Sequence, residues 1–474
     1  MTRTLVAVAS LVFLVGPLLA ADPPSVTTKA ISVSPAPAPK PALKYQLLPD
    51  LSETFSGNQA HLFMKAFAEQ NHFYFNKDEI DKREKYLGAP LDELPEDVRH
   101  YGGSLINRLH EAARAEQVDW QLTRELKRDG TNTLIPDAQH MRLHANVLRV
   151  RCRGEIKAGH FPAAIRTVQT LLALGRAFNE HPCVIGQLVG SAIANIGLVC
   201  VEEMIQQPNC PNLYWALTDL PTPFIDLRKG IQGDRTMYDA EFRDFPRGGA
   251  TWTGEQEAKA FARLPKMLGF LENLPPAVKR PTDFAPYVVM LSNDAEFQKT
   301  CAGWLKEVGY AENDIDGMTP AQRVIVASVE RLLALNDETA KLYKRPYTEL
   351  PDEFKSIEVP AKGAVLDLSE KGLFGGGLAV RWKPKLAQTR IDSVIAQLRM
   401  IEAVRLYAHA KGGKLPTRIS DAGVPTPIDP FSGKAFAYYI EDDGKLAVFT
   451  ITPPLGMEKS APYNLRWKIG LHAK

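Results

Sequence analysis

A mainly α chain, with a body of tetratricopeptide-like helical hairpins followed by a small α+β module of one long helix and a short antiparallel sheet, is predicted by three features. Apolar residues recur at helical spacing from Asp137 to Gln207 and again from Lys385 to His409. After Ala435 comes the clearest alternation with a period of two. The 45% of apolar residues in 474 is enough to fill substantial cores. The 57 basic and 55 acidic side chains nearly cancel to a formal +2, so there is no broad electrostatic basis for binding nucleic acid or acidic lipid.

Residues 1–21 read as a signal peptide. Arg3 gives a positive start, Leu5 to Leu19 is uncharged and apolar, and the small Ala20 and Ala21 follow. The expected destination is periplasmic or extracellular. The apolar run is shorter than the roughly 20 residues of a bilayer span, so export is the expectation, with an uncleaved signal acting as a tether as the alternative. Residues 22–47 form a linker rich in Pro and Ala, expected to be an extended spacer because Pro cannot continue a helix.

The helical domain is placed at 48–358. Leu62, Phe63, Phe67 and Phe73 mark a first helix within Asn58–Phe75, and Leu105, Ile106 and Leu109 a second, opened by Pro95. Between Asp137 and Gln207 three long helices are expected. The first carries Met141, Leu148, Cys152 and Ile156 on one face and stops at Gly159-His160. The second opens at Phe161-Pro162, with Pro tolerated in the first turn. A short turn containing Gly makes these two an antiparallel hairpin. The third, from His181 to Val201, has no charged residue, and Gly186, Gly190 and Ala194 recur every four positions. That spacing suits a transmembrane interface, but Gln187, Ser191 and Asn195 interrupt it, so close packing in a core is the expectation. Further helices are expected over Asp226–Phe245, Glu255–Leu271, Phe284–Val308 and Pro320–Tyr343.

A linker at 359–384 holds a short expected strand, in which Leu378, Val380 and Trp382 alternate with polar or small residues after Gly375–Gly377. The module at 385–474 then has a helix through Ile391, Val394, Ile395, Leu398, Ile401 and Val404. A hairpin follows, with strands Ala435–Ile440 and Leu446–Thr452 flanking Asp443-Gly444. Tyr463, Leu465, Trp467 and Ile469 mark a third strand.

Within this module the helix reaching Tyr407, then Gly413-Lys414-Leu415-Pro416-Thr417, then Asp429-Pro430-Phe431-Ser432-Gly433-Lys434 ahead of the hairpin, resembles the globular part of type II secretion pseudopilins. The resemblance implies a helix backed by a small sheet, with an Asp-Pro-aromatic loop before it. Asp442 and Asp443 do not match that family's calcium ligands and read as turn residues. Taken whole, including Asn212-Leu213-Tyr214-Trp215-Ala216-Leu217, the chain is similar to a group of exported proteins of planctomycete-type bacteria. That likeness implies no activity.

Candidate chemistry is sparse. Trp215, Asp219, Asp226, Arg228, Asp234 and Arg235 form the densest polar and aromatic cluster, and Trp215, Asp219, Asp226 and Arg228 are the candidate groove. Asp226 and Arg228 are two apart and so are not expected to face one another on a helix. His140 and His144, four apart, are weak candidates for a shared metal, without the Glu of a His-Glu-x-x-His motif or an identifiable third ligand. Of the neighbouring Glu202 and Glu203, one is expected to reach solvent and the other to cap or to pair with an Arg. Gly372–Gly377 lacks the Gly-Lys-Ser/Thr ending of a phosphate loop. The five cysteines include no Cys-x-x-Cys pair; Cys200 with Cys210 is the one disulfide to test, against the favoured alternative of buried free thiols.

No catalytic set and no cofactor are identified. The expectation is an exported envelope protein that is non-catalytic and binds other envelope proteins as an interaction or scaffold protein. The alternatives are an exported hydrolase-like enzyme with its site in the helical body, and a secretion or pilus-associated component.

Overall fold

The computed structural model describes residues 26–243, 247–269, 285–352, 373 and 382–472. The expected signal peptide, the Gly372–Gly377 segment apart from Leu373, and Leu378 and Val380 of the expected short strand lie outside the described residues. The fold is mainly helical with a small mixed sheet toward the C-terminus, consistent with an α body plus an α+β module. Of the described residues, 26–243, 336–352 and 382–472 fall in one compact unit, and 247–269, 285–335 and Leu373 in another.

The larger unit begins with strand β1 (Thr27–Val33), a short parallel pair β2 (Phe55–Asn58) and β3 (Ala115–Gln117), and helices α1 (Gln59–Glu69), α2 (Asn71–Phe75), α3 (Lys77–Gly88), α4 (Gly103–Ala112) and α5 (Thr123–Asp129). Then come α6 (Pro136–Lys157), α7 (Phe161–Ala177), α8 (Val184–Ile205), α9 (Tyr214–Thr218) and α10 (Arg228–Phe242). The smaller unit holds α11 (Gly254–Gly269), α12 (Ala285–Ser292), α13 (Ala295–Glu307), α14 (Glu312–Gly317) and the part of α15 (Pro320–Tyr343) up to Leu335. Its core includes Trp304, Val324, Ile325 and Val329, and Gln322 clasps the Ala250–Trp252 loop through both ends of its amide, at 2.8 and 3.0 Å. The larger unit is completed by α16 (Trp382–Ala410), β4 (Ala437–Glu441), β5 (Leu446–Thr450) and β6 (Leu465–Leu471).

The α6–α7 hairpin forms at the expected turn. Gly159 adopts φ +70°, a left-handed conformation that costs other residues a Cβ clash. The Gly159 and His160 N–H groups close the end of α6 on Ile156 and Glu155 carbonyls at 2.9 Å. Helix α8 is the one described helix long and apolar enough to cross a membrane, and 67% of its apolar window is buried within the protein. Its small residues serve packing. A Cβ on Gly190 would sit 2.5 Å from Phe178 Cβ and 2.7 Å from the Gly175 carbonyl oxygen, so α7 and α8 approach until backbone meets backbone.

Two expectations about the sheet are corrected. The sheet is mixed, in the order β1-β6-β5-β4, with β6-β5-β4 antiparallel and β1 parallel to β6 from Thr27↔Leu465 to Val33↔Leu471. Residues 27–33 of the expected spacer are therefore a strand. They lie between Pro24 and Pro35, are rich in β-branched residues, and turn Ile31 and Val33 into the core. Trp382, expected in a strand, begins α16 instead. The β4–β5 turn is as expected: Asp442, Asp443 and Gly444 all have positive φ, at 50°, 49° and 93°.

Helix α16 joins the two layers. From Pro384 to Ala408 none of its residues is exposed. Toward the sheet, the Trp467 indole donates to Gln397 Oε1 at 2.8 Å. Toward the body, Arg405 and Glu402 are fully buried and paired at 2.8 Å. Arg405 also donates to the carbonyls of Ser34 (2.9 Å), Cys210 (2.6 Å) and Pro211 (3.3 Å), and its own carbonyl accepts the Ala36 N–H. Asn212 donates to Glu402. One guanidinium thus ties the N-terminal segment and the end of the α8 connection to α16.

Arg405→Ala leaves Glu402 buried without its cation and three carbonyls without a donor. A loss of about 3–5 kcal/mol is expected in urea unfolding, with a smaller loss for the E402Q/R405M pair. Gly190→Ala is expected to cost about 1–3 kcal/mol through overpacking; an unchanged midpoint would refute the close α7–α8 contact.

Candidate functional site

The sequence-predicted cluster spans α9, α10 and the connection between them, which carries Asp219 and Asp226 and is moored to side chains rather than to other backbone. The Phe224 N–H donates to Asp392 Oδ1 at 2.8 Å, and Gln388 Nε2 donates to the Ile225 carbonyl at 2.7 Å, both partners lying on α16. Asn179 completes the mooring: its Oδ1 accepts the Asp226 N–H at 3.1 Å and its Nδ2 reaches the Phe224 carbonyl at 3.4 Å. The Phe224 ring is buried beneath the Arg176 guanidinium, 5.9 Å away. A loop without ladder partners needs such side chains, because unpaired buried backbone groups are costly.

Asp226 and Arg228 do meet, against expectation. Asp226 precedes α10 instead of lying within it, so its carboxylate can turn back on the first helical residue. It accepts the Arg228 N–H at 3.0 Å and grips the guanidinium, with Nε at 3.0 and 2.7 Å from the two oxygens. Burial works to raise the Asp226 pKa, but these hydrogen bonds and the Arg228 and Lys385 charges hold it below the ordinary value. Trp215 and Asp219 lie on and just after α9. Trp215 is half-buried, edge-on to Tyr214 at 5.2 Å, and Asp219 is exposed. Neither hydrogen-bonds to Asp226 or Arg228 among the described residues, so the four candidates separate into two places.

The groups with shifted proton affinity come from α16. Lys385, Gln388 and Asp392 fall at i, i+3 and i+7, one face of a helix. Lys385 is only 6% exposed, donates to the Tyr343 carbonyl at 3.3 Å, and has its pKa lowered by burial against the pull of Asp392 and Asp226. Burial pushes Asp392 up to about 7, although the Phe224 N–H and the Lys385 charge act the other way. A carboxyl that titrates near neutrality beside a buried amine has the proton affinity used in acid–base chemistry. Here one of its oxygens is already committed to the Phe224 N–H.

These three residues were missed in the sequence. Their signal was a polar row inside a helix whose other positions are apolar on more than one side. Such a row faces water on a surface helix, but inside the protein when both flanks of the helix are covered.

The weaker candidates resolve into structural contacts. His144 is fully buried. Its Nε2 lies 3.0 Å from the Phe63 carbonyl, which can only accept, so that nitrogen carries the hydrogen and Nδ1 accepts from the Tyr74 hydroxyl. Both ring nitrogens are occupied, and burial lowers its pKa to about 4. His140 stacks on Phe67 with ring centroids 3.9 Å apart. No three His, Cys, Asp or Glu side chains converge as a metal site among the described residues. Glu202 and Glu203 are both paired, to Lys29 of β1 at 2.9 Å and to Arg153 of α6 at 3.1 Å, so neither is left to solvent alone. All five cysteines are free and buried. Cys200 is not bonded to Cys210.

Because its folded pKa is raised, Asp392 contributes stability that is fully present below about pH 4 and is lost as pH rises through about 7. In urea unfolding at pH 5 and pH 8, D392N is expected to lose less stability between the two than wild type, by on the order of 2 kcal/mol. Equal losses in both proteins would show that the carboxyl is not held protonated.

Comparisons with protein-family models, with curated proteins and with solved structures found no match to this chain.

Proposed function

We propose that this chain is an exported envelope protein that works by contact with other envelope proteins, as a scaffold, and not by catalysis. The observation that supports this reading is the internal use of its reactive groups. Asp392 and Gln388 hold the 224–225 backbone, Lys385 holds the end of α15, Asp226 and Arg228 hold one another, and the thiols are buried. Groups so engaged position the protein's own parts, which suits a body that presents a stable surface.

A second reading, a secretion or pilus-associated component, is favoured by the α+β module. There Asp429 is buried in the turn ahead of the hairpin, accepting the Phe431 and Thr452 N–H groups at 3.0 and 3.2 Å.

The experiment combines fractionation, cross-linking and a substrate screen. The expected result is a tagged chain in the envelope or secreted fraction, cross-linked to a partner in fixed ratio, with D226N and D392N leaving that ratio unchanged. A pseudopilin as the partner selects the second reading. Turnover of an ester, glycoside or phosphoester that disappears in D392N would overturn both and make the chain an enzyme.

A further inference from the structure

Strand β1 has one free edge. Toward β6, the Thr27 N–H donates to the Asn464 carbonyl at 3.0 Å, and the Val33 carbonyl accepts the His472 N–H at 3.0 Å. In a regular parallel ladder alternate residues face the same neighbour, so Thr27, Lys29, Ile31 and Val33 turn their peptide groups to β6. The N–H and C=O groups of Thr28, Ala30 and Ser32 then point to the other side, where β1 ends the sheet. No hydrogen bond to them is formed among the described residues, and all three residues are exposed. The usual guards of such an edge are missing. The seven residues run without a bulge or an internal Pro, and the charge of Lys29 is matched by Glu202 at 2.9 Å. The opposite edge differs: β4 has five residues, and the chain ahead of it is already bridged from Ala435 to Ile428.

A cleft of about 540 Å³ lies along this edge, within the usual size range of binding clefts. Residues 30–32 of β1 form one bank, residues 206–208 at the end of α8 form the other, and Gly470, without a side chain, opens the space between them. The His472 Nε2–H donates to the Gln206 carbonyl at 2.9 Å and ties the two banks together. The charges at the cleft are matched within the protein, Lys29 by Glu202 and Lys468 by Glu441 at 2.9 Å. What the cleft leaves unmatched is backbone, flanked by the small side chains of Thr28, Ala30 and Ser32.

We propose that this edge takes up an extended, uncharged peptide segment of another protein, which adds a strand beside β1 and extends the four-stranded sheet. Alternate residues of the segment exchange N–H···O=C bonds with Thr28, Ala30 and Ser32, whose small side chains let the two backbones approach. A charged segment finds no free counter-charge here. A second copy of this chain would have to bring a whole sheet past residues 206–208, whereas a single segment lies between the banks. The proposal deepens the contact role given above and rests on that role for its natural partner.

The test is calorimetric titration of the purified full chain with the acetylated, amidated peptide Thr-Thr-Gln-Ala-Ile-Ser-Val, a copy of β1 with its lysine neutralised. Run antiparallel, the copy places its Ser beside Thr28, its Ala beside Ala30 and its second Thr beside Ser32. Saturable binding is expected. N-methylation of the second, fourth and sixth peptide residues, whose N–H groups face β1, should abolish it. Methylation of the third and fifth, which face away, should leave the affinity within about twofold. Ala30→Pro removes one N–H at a position that an edge strand tolerates, and should weaken binding about tenfold or more. No binding, or binding indifferent to which amides are methylated, would overturn the proposal. So would a dimer in sedimentation that A30P converts to monomer, because a second copy then holds the edge. The methylated peptides decide the question with the unaltered chain even where A30P does not fold. Peptide binding with no cross-linked envelope partner supports the edge and overturns the scaffold role; a cross-linked partner without peptide binding does the reverse.

Discussion

The buried pair of Arg405 and Glu402 is the constraint around which the larger unit is organised. A charge enclosed this completely is tolerated only when its remaining hydrogen-bonding positions are filled. Arg405 fills them with carbonyls from two separate stretches, Ser34 on one side and Cys210 and Pro211 on the other. Glu402 takes the side chain of Asn212, whose Oδ1 in turn accepts the Tyr214 N–H at 3.0 Å. Burial raises the Glu402 pKa while Arg405 and the neighbouring donors pull it down, so the pair is sustained only by this whole set of contacts.

The same logic extends along α16. Gln397 bridges to the sheet through Trp467, Arg399 lies over the Tyr214 ring at 5.3 Å, and Asp392, Gln388 and Lys385 take up backbone groups of the body. A helix enclosed on all sides gains apolar burial from its aliphatic residues. Its polar residues then specify orientation, because each has one set of partners that satisfies it. The candidate groove of the sequence is, in this light, the loop that α16 secures. Asp392, the group best poised for proton transfer, also has a structural task in capping the Phe224 N–H.

Much of this was legible in the residues. The α6–α7 turn follows from Gly159 and Pro162, and the β4–β5 turn from Asp443-Gly444, because few other residues adopt those conformations at low cost. The close packing of α8 follows from Gly186, Gly190 and Ala194. What was not legible depended on distant partners. Thr27–Val33 read as spacer because the surrounding Pro residues dominate the local pattern, and a single edge strand shows its purpose only beside β6. Helix geometry argues against an Asp226–Arg228 pair, and a start of α10 two residues later than expected reverses that conclusion. Lys385, Gln388 and Asp392 were passed over because one helix's sequence does not tell how many of its sides are covered.

The pairing of β1 with β6 joins residues 27–33 to 465–471, nearly the full length of the chain. A contact between such distant segments bears the largest loop-closure entropy in the molecule and is favourable only after the intervening chain has become compact. Synthesis runs from β1 to β6, so the first strand made must wait for the last. Until then Ile31 and Val33 have no sheet to enter, and Ser34 and Ala36 lack the Arg405 groups that hold them. The helical hairpins between them need no such delay, because α6, α7 and α8 are neighbours in sequence as well as in space. The order of events that follows is a helical body first, α16 laid against it with its charges matched, and the sheet closed last by its two outermost segments in the chain. The N-terminal segment from Val26 on is thus an integral part of the fold, held by a strand and by one arginine.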